Sequence, residues 1–173
     1  YKNLVPLSTY GKIVRGIATG DNNYFTFNTQ KQQQFEIANQ YLWPCLTKAN
    51  QASASFFTTM NFEQLRLSGK NVYLLNVAQL TDPAIKRYLQ TGEQLGTHQK
   101  YLTSHRNPWY ALENRPPAPI LVTVFNRNGL RFVRNEANVR NLTCFHGFYL
   151  DMFALAQIDI LMAYLMTDVA KAI

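Results

Sequence analysis

Residues able to do chemistry gather in three places. The first is Arg15-Gly16-Ile17-Ala18-Thr19-Gly20-Asp21-Asn22-Asn23-Tyr24-Phe25, a basic residue leading through a polar, glycine-flanked stretch to two aromatics. Ile13, Ile17, Tyr24, Phe25 and Phe27 favour extended backbone. Gly20, Asn22 and Asn23 tolerate positive φ, so the pattern predicts a strand, a tight turn and a second strand. A turn of this kind directs backbone N–H groups and side-chain amides outward beside Lys12 and Arg15, which suits a phosphate oxygen or a base edge. An ordinary hairpin whose asparagines fit its turn reads the same way. The second place is Arg106-Asn107-Pro108-Trp109-Tyr110, a cation followed by a rigid step and two aromatics. The third is a cluster of arginines: six of the nine (Arg106, Arg115, Arg127, Arg131, Arg134, Arg140) lie between positions 106 and 140, against Glu113 and Glu136 alone.

Several kinds of chemistry lack their residues. His98, His105 and His146 are far apart in the chain and have no cysteine or carboxylate at ligand spacing, which argues against a zinc site. Cys45 and Cys144 are the only cysteines. They form no CxxC or other close pair, and two are too few for a disulfide framework, so both read as buried thiols. No Gly-x-Ser-x-Gly elbow, phosphate-binding loop or acid-x-Lys nuclease signature occurs.

The 173 residues suffice for one domain with a proper core, and the net charge is +7. Residues 1–150 hold sixteen Lys and Arg against seven acids, whereas 151–173 hold one Lys against three acids. No basic amphipathic helix accompanies the surplus. It therefore favours a polyanionic partner, nucleic acid before membrane, although a basic but inert surface has the same composition. The chain opens on Tyr1 without a charged-then-apolar leader, which reads as a piece of a larger cytoplasmic protein.

The elements that must position these residues follow from local signals. Residues 1–11 form a lead-in segment. Thr29 and Gln32 have the form of a capping box opening a glutamine-rich helix to about Gln40, whose three glutamines, Gln32 to Gln34, read as a solvated face. Trp43-Pro44 excludes helix. Lys48 to Ser55 is small and polar and reads as an exposed loop. Asn61 is expected to cap a short helix ending at Gly69, and Val72 to Val77 has the apolar continuity of a central strand. Asp82-Pro83 starts a helix with Ile85, Tyr88 and Leu89 on its buried face. Gly92 and Gly96 are expected to interrupt it before a second helix reaching Ser104. Asn114 to Pro119 is an extended crossing. Ile120 to Phe125 and Leu130 to Val133, joined through Asn128-Gly129, predict a hairpin with Arg127, Arg131 and Arg134 around its tip. Leu142 to Tyr149 predicts another strand. Residues 150–172 predict apolar helix, shorter than the ~20 residues of a membrane span and broken by Gln157 and Asp159, so packing against protein is the economical reading. The expected fold is α+β, a small and mostly antiparallel sheet flanked by helices, with a domain over 1–150 and a helical segment over 151–173. That segment would pack on the domain or on a missing part of a parent chain.

The run RGIATGDNNYFTF (Arg15 to Phe27) resembles the opening signature of the target recognition domain in gamma-class adenine-N6 DNA methyltransferases of restriction–modification systems. Tyr41-Leu42-Trp43-Pro44-Cys45-Leu46, Val72-Tyr73-Leu74-Leu75 and Arg106-Asn107-Pro108-Trp109-Tyr110 continue the resemblance in the family's order over roughly residues 10 to 150. The resemblance implies a module that binds duplex DNA and reads a short target for a fused catalytic domain, the parent reaction being methyl transfer from S-adenosylmethionine to a flipped-out adenine. This chain lacks the glycine-rich cofactor loop and the Asn-Pro-Pro-aromatic tetrapeptide of such enzymes. Asn107-Pro108-Trp109-Tyr110 departs from that tetrapeptide at its third position and follows a polar stretch instead of an apolar strand. No catalytic, cofactor or metal residue is therefore assigned here. The expected phosphate contacts are Lys12, Arg15, Lys48, Arg106 and Arg115. The expected base or groove contacts are Thr19, Asn22, Asn23, Trp109, Tyr110, Arg127, Arg131 and Arg134. Alternatives are a specificity subunit of a multi-subunit restriction system and a protein-interaction module acting through the apolar C-terminal helix.

Overall fold

The computed structural model describes residues 4–124 and 130–171. Nine strands build two sheets among the described residues. Strands β1 (Gly11–Arg15), β4 (Phe56–Phe57), β6 (Ile120–Thr123), β7 (Phe132–Asn135) and β9 (Phe145–Leu150) form one, in the order β1-β9-β6-β7-β4. Strands β2 (Thr26–Phe27), β3 (Leu42–Leu46), β5 (Tyr73–Leu75) and β8 (Arg140–Asn141) form the other, in the order β2-β5-β3-β8. Pairing is antiparallel except for β4 with β7 and β3 with β8. The expected α+β class with mostly antiparallel pairing holds, but the strands are shared between two sheets instead of one.

Residues 16–25 account for the difference. The expected hairpin is absent: after β1 the chain leaves the first sheet, turns through Gly20 at φ 86° and enters the short helix α1 (Asn22–Phe25) before β2 joins the second sheet. Asp21 caps that helix by accepting the Tyr24 N–H. An N-cap acid stabilises a helix more than Asn22 and Asn23 stabilise a tight turn, so these asparagines take the first helical turn. Helix α2 (Thr29–Gln34) is likewise capped by Asn28 instead of Thr29 and stops at Phe35, six residues short of its expected end, with Glu36 at φ 55°. The cap of α3 (Thr59–Leu67) is Thr58, with Asn61 answering it in a reciprocal pair.

Helix α4 (Pro83–Gln94) opens on Asp82, whose carboxylate accepts the Ala84 N–H, and it buries Ile85, Tyr88 and Leu89 as its periodicity requires. Gly92 lies within this helix and does not break it. A Cβ there would stand 2.6 Å from the rings of Tyr24 and Trp109, so close packing explains the glycine. The expected second helix is a 3-10 turn at Thr97–Gln99 and the single turn α5 (Tyr101–Ser104).

Three cores result. Phe25, Phe27, Tyr41, Leu74, Ile85 and Tyr88 join the second sheet to α4. Phe57, Phe62, Val72, Leu121, Val133 and Phe145 fill the space between the sheets and α3. Ile120, Val122, Phe132 and Phe148 meet Ile158, Leu161, Met162 and Leu165 on the first sheet's other face. Alternate residues of β6 thus serve two cores, which is why that strand reads as an unbroken apolar run. Its pairing with β7 places Leu121 opposite Val133 and Val122 opposite Phe132, as a hairpin demands. The Asn128-Gly129 turn expected to close it lies outside the described residues.

After residue 150 the single expected helix is three: α6 (Met152–Ala156), α7 (Ile158–Leu165) and α8 (Asp168–Lys171). No helix among the described residues is long and apolar enough to cross a membrane.

Asn135 is the clearest single support of the middle core. It is 5% exposed, its amide donates to Ala118 O and Val139 O at 2.8 Å each, and its carbonyl accepts the Val139 N–H. Removing these partners leaves buried backbone groups unpaired, so Asn135→Ala is expected to cost about 1–3 kcal/mol. Urea denaturation checks this, and an unchanged midpoint would contradict it.

Candidate nucleic-acid interface

The segment from Arg15 to Phe25 crosses between the sheets and is fixed by partners remote in sequence. Arg15 pairs with His146 at the end of β1, leaving its side chain exposed beside that of Lys12 on the edge strand. Gly16 runs against the Leu142–Phe145 backbone, where a Cβ would stand 2.1 Å from Leu142 O. Ile17 donates to Asn141 O and bridges Leu142. The carbonyls of Ala18 and Thr19 both accept from the Arg106 guanidinium, the latter at 2.7 Å. Thr19 is buried, and its hydroxyl donates to Asn22 Oδ1 at 2.6 Å while accepting the Asp21 N–H. Burial alone would raise the Asp21 pKa, but the hydrogen bonds from Lys100 and the Tyr24 N–H bring it below the ordinary value. Asn22 and Asn23 remain exposed on the surface of this crossing.

Trp109 and Tyr110 close the back of the same segment. Trp109 stands 5.6 Å from the Tyr24 ring and 6.2 Å from that of Phe25, and its indole N–H donates to Glu93 at 3.3 Å. Tyr110 packs edge-on against it. Beneath them Tyr24 and Tyr88 stack at 4.7 Å, each hydroxyl donating to the other residue's carbonyl oxygen. Burial pushes both phenols well above their usual range.

The arginines share one habit. Arg115 donates to Arg15 O and pairs with Glu113 at 2.6 Å. Arg131 donates to Ala52 O at 2.6 Å and Ala54 O at 3.2 Å, holding the 48–55 loop against the β6–β7 ribbon. Arg134 reaches Pro119 O and lies 4.0 Å from Asp159, with its Nε unpartnered among the described residues. Arg140 donates to Arg115 O and stacks on Trp43 at 3.7 Å. Burial lowers the pKa values of Arg106, Arg131 and Arg140 from the ordinary value, as expected for guanidinium groups drawn partly out of water.

The expected site residues therefore fall into two groups. Lys12, Arg15, Lys48, Asn22 and Asn23 present exposed side chains. Thr19, Arg106, Arg115, Trp109, Tyr110, Arg131 and Arg134 are buried or half-buried and engage groups of the protein itself. Arg127 lies outside the described residues. Sequence reasoning missed Lys31, whose ammonium donates to Asn23 O, Tyr24 O and Thr26 O and sits 4.2 Å above the Phe27 ring, closing α1. It missed the Lys100–Asp21 pair for a similar reason: the partners are 79 residues apart and no local spacing joins them. Cys45 and Cys144 are free thiols, and burial pushes Cys144 up to about 12. Among the described residues no three His, Cys, Asp or Glu side chains are grouped to hold a metal ion.

Because Arg106 ties α5 to the crossing segment through two carbonyls, Arg106→Ala is expected to destabilise the protein by about 1.5–3 kcal/mol. Arg15→Ala, by contrast, should stay within about 0.5 kcal/mol of the parent protein. Thermal or urea unfolding of the pair separates a structural clamp from a surface cation, and equal stabilities would contradict the assignment.

Comparison with known proteins places this architecture. Residues 1–172 match the family model for the C-terminal domain of the type II methyltransferase M.Eco57I. The chain is 54% identical over 175 residues to the type II methyltransferase M.AccI of Acinetobacter calcoaceticus, covering 100% of this chain and 32% of that protein. It is 32% identical over 65 residues to the type II methyltransferase M.XamI of Xanthomonas campestris pv. amaranthicola, covering 38% of this chain and 12% of that protein. Among solved structures, the type IIL restriction–modification enzyme MmeI in complex with DNA aligns over 87% of this chain and 21% of its own, with a TM-score of 0.49 and 14% identity. The chain thus spans about a third of the length of M.AccI. On the match of the family model to nearly its whole length, the chain belongs to the family of M.Eco57I-type C-terminal domains of type II methyltransferases.

Proposed function

We propose that the chain is the target recognition domain of a site-specific adenine-N6 DNA methyltransferase, binding duplex DNA on behalf of a catalytic domain elsewhere in the same polypeptide. Family membership supports the methyltransferase setting, and the resemblance carried by Arg15 to Phe27 supports the adenine class. The observation that carries the DNA reading is the division of charge. Five of the ten acids (Asp21, Glu36, Glu63, Glu113, Asp159) lie in ion pairs, while Lys12, Arg15 and Lys48 are exposed and make no ion pair among the described residues. Free, flexible cations on a surface whose acids are partly neutralised suit a phosphate backbone, which rewards charge more than fixed geometry. Arg106 and Arg115 support the interface from behind instead of touching it.

In this role the chain performs no methyl transfer itself. S-adenosylmethionine and the catalytic tetrapeptide belong to the other domain, which would supply the methyl group to an adenine turned out of the helix. The domain's own task is to fix register on the duplex through Lys12, Arg15 and Lys48, with Asn22 and Asn23 exposed on the same crossing segment. Such work belongs in the cytoplasm, beside the DNA.

The apolar C-terminal surface fits the same picture. Val5, Phe153, Ile160 and Tyr164 line an open cavity of about 400 Å³, and Ile160 is 70% exposed. A monomeric surface rarely leaves such a patch uncovered, and the remainder of the longer methyltransferase is the covering surface that the relatives' length supports.

Lys12→Ala, Arg15→Ala and Lys48→Ala should each weaken binding to all duplex sequences alike and reduce the salt dependence by about 0.9 in log–log slope for each phosphate no longer neutralised. Titration of labelled duplexes at several salt concentrations measures it. Unchanged affinity and slope in all three variants would remove the DNA reading and favour a protein-interaction module built on the apolar face.

A further inference from the structure

We propose that the open groove between residues 50–57 and α3 is a base-reading site, taking the major-groove edge of an adenine through Gln64 and Asn50 with the Phe56 ring alongside. The inference rests on the DNA-binding reading above and adds to it the place where sequence is distinguished.

The groove encloses about 330 Å³ and is lined by polar side chains for most of its length. Its frame is fixed from within. Gln51 accepts the Thr47 and Lys48 N–H groups and donates to Asn71 O, Thr58 and Asn61 cap α3 reciprocally, and Arg131 holds the Ala52 and Ala54 carbonyls. Ala52 and Phe57 anchor the loop in the core at 3% and 1% exposure. Gln64 and Asn50, facing each other across this frame, are exposed and make no side-chain hydrogen bond among the described residues. Rigid walls carrying unspent amides are preorganised for a planar donor–acceptor edge, since little order must be acquired on binding. An amide side chain pairs in two-point fashion with adenine N6 and N7.

Two further features point the same way. Phe56, on the sheet's edge strand β4, leaves its ring 42% exposed at the mouth of the groove, where a base or sugar face can cover it. Lys48 and Lys70 flank the groove, exposed, on segments joined by the Thr47 hydroxyl and the Gln51 amide on Asn71 O. Glu63, the nearest acid on α3, is neutralised by Arg66 at 2.7 Å. Cations beside a concave row of amides match a backbone flanking a base edge.

The test is selection of bound sites from a randomised duplex pool by the purified protein, followed by affinities for the selected site and its single-base changes. Wild type should select a site containing at least one A·T position that Gln64→Ala reads with about 10-fold or more less discrimination, at unchanged salt slope. Gln64→Glu should move the preference at that position toward cytosine, whose exocyclic amine donates to a carboxylate. Both substitutions alter an exposed side chain, and matching thermal stability confirms that the variants fold. Retention of the wild-type site by Gln64→Ala, Gln64→Glu and Asn50→Ala would overturn the groove assignment while leaving DNA binding intact. Binding without any selected sequence would overturn it as well. Failure of the wild type to bind DNA at all would instead remove the reading on which it rests.

Discussion

A domain assembled from short strands and long irregular crossings must find donors for the carbonyl groups those crossings leave outside any ladder. Arginine side chains supply many of them here. Arg106 serves Ala18 and Thr19, Arg131 serves Ala52 and Ala54, Arg140 serves Arg115, and Arg115 in turn serves Arg15. Each guanidinium offers several N–H groups in a rigid fork, so one side chain can order two carbonyls at once without a regular element. The crossing from Arg15 to Phe25 depends on this most, because it alone carries the chain from the first sheet to the second near the N-terminus.

This division of labour explains why a basic composition misleads about which cations face solvent. Guanidinium groups tied to backbone and partly desolvated cannot swing toward a polyanion without leaving carbonyls unpaired. Lysines and the one arginine on the edge strand β1 carry no such obligation. The interior arginines set the shape, and the surface cations set the field.

Much of the fold is legible in local signals. Asp82-Pro83, the run Val72 to Val77 and the pairing of Ile120–Val122 with Phe132–Arg134 are written within a few residues, and the structure follows them. What cannot be read locally is every decision made between distant segments. Arg106 meets Ala18 across 88 positions, β3 and β8 pair in parallel through two residues, and β4 is a two-residue strand whose only support is its neighbour β7. None of these leaves a periodic trace. The glycine-flanked stretch reads as a turn because Gly20, Asn22 and Asn23 satisfy turn chemistry. It is instead a crossing because Asp21 offers a helix cap, and Lys31 and Lys100 close that helix and its cap.

The exposed candidates are legible for the opposite reason. A solvated cation or amide needs no partner, so composition alone suffices to place Lys12, Lys48 or Asn22 at the surface, whereas nothing in the sequence says which surface residues share a concavity. Gln64 and Asn50 are fourteen positions apart in the chain and come to face each other only because Arg131, from a third element, draws the intervening loop onto the β6–β7 ribbon. Recognition by such a groove would be set by the same carbonyl-to-arginine contacts that stabilise the fold. A change at Arg131 would therefore act on stability and sequence preference together, whereas a change at Gln64 acts on preference alone. That separation is what a module that must hold its shape while its target varies requires: interior cations keep the frame, and the amides suspended within it remain free to differ.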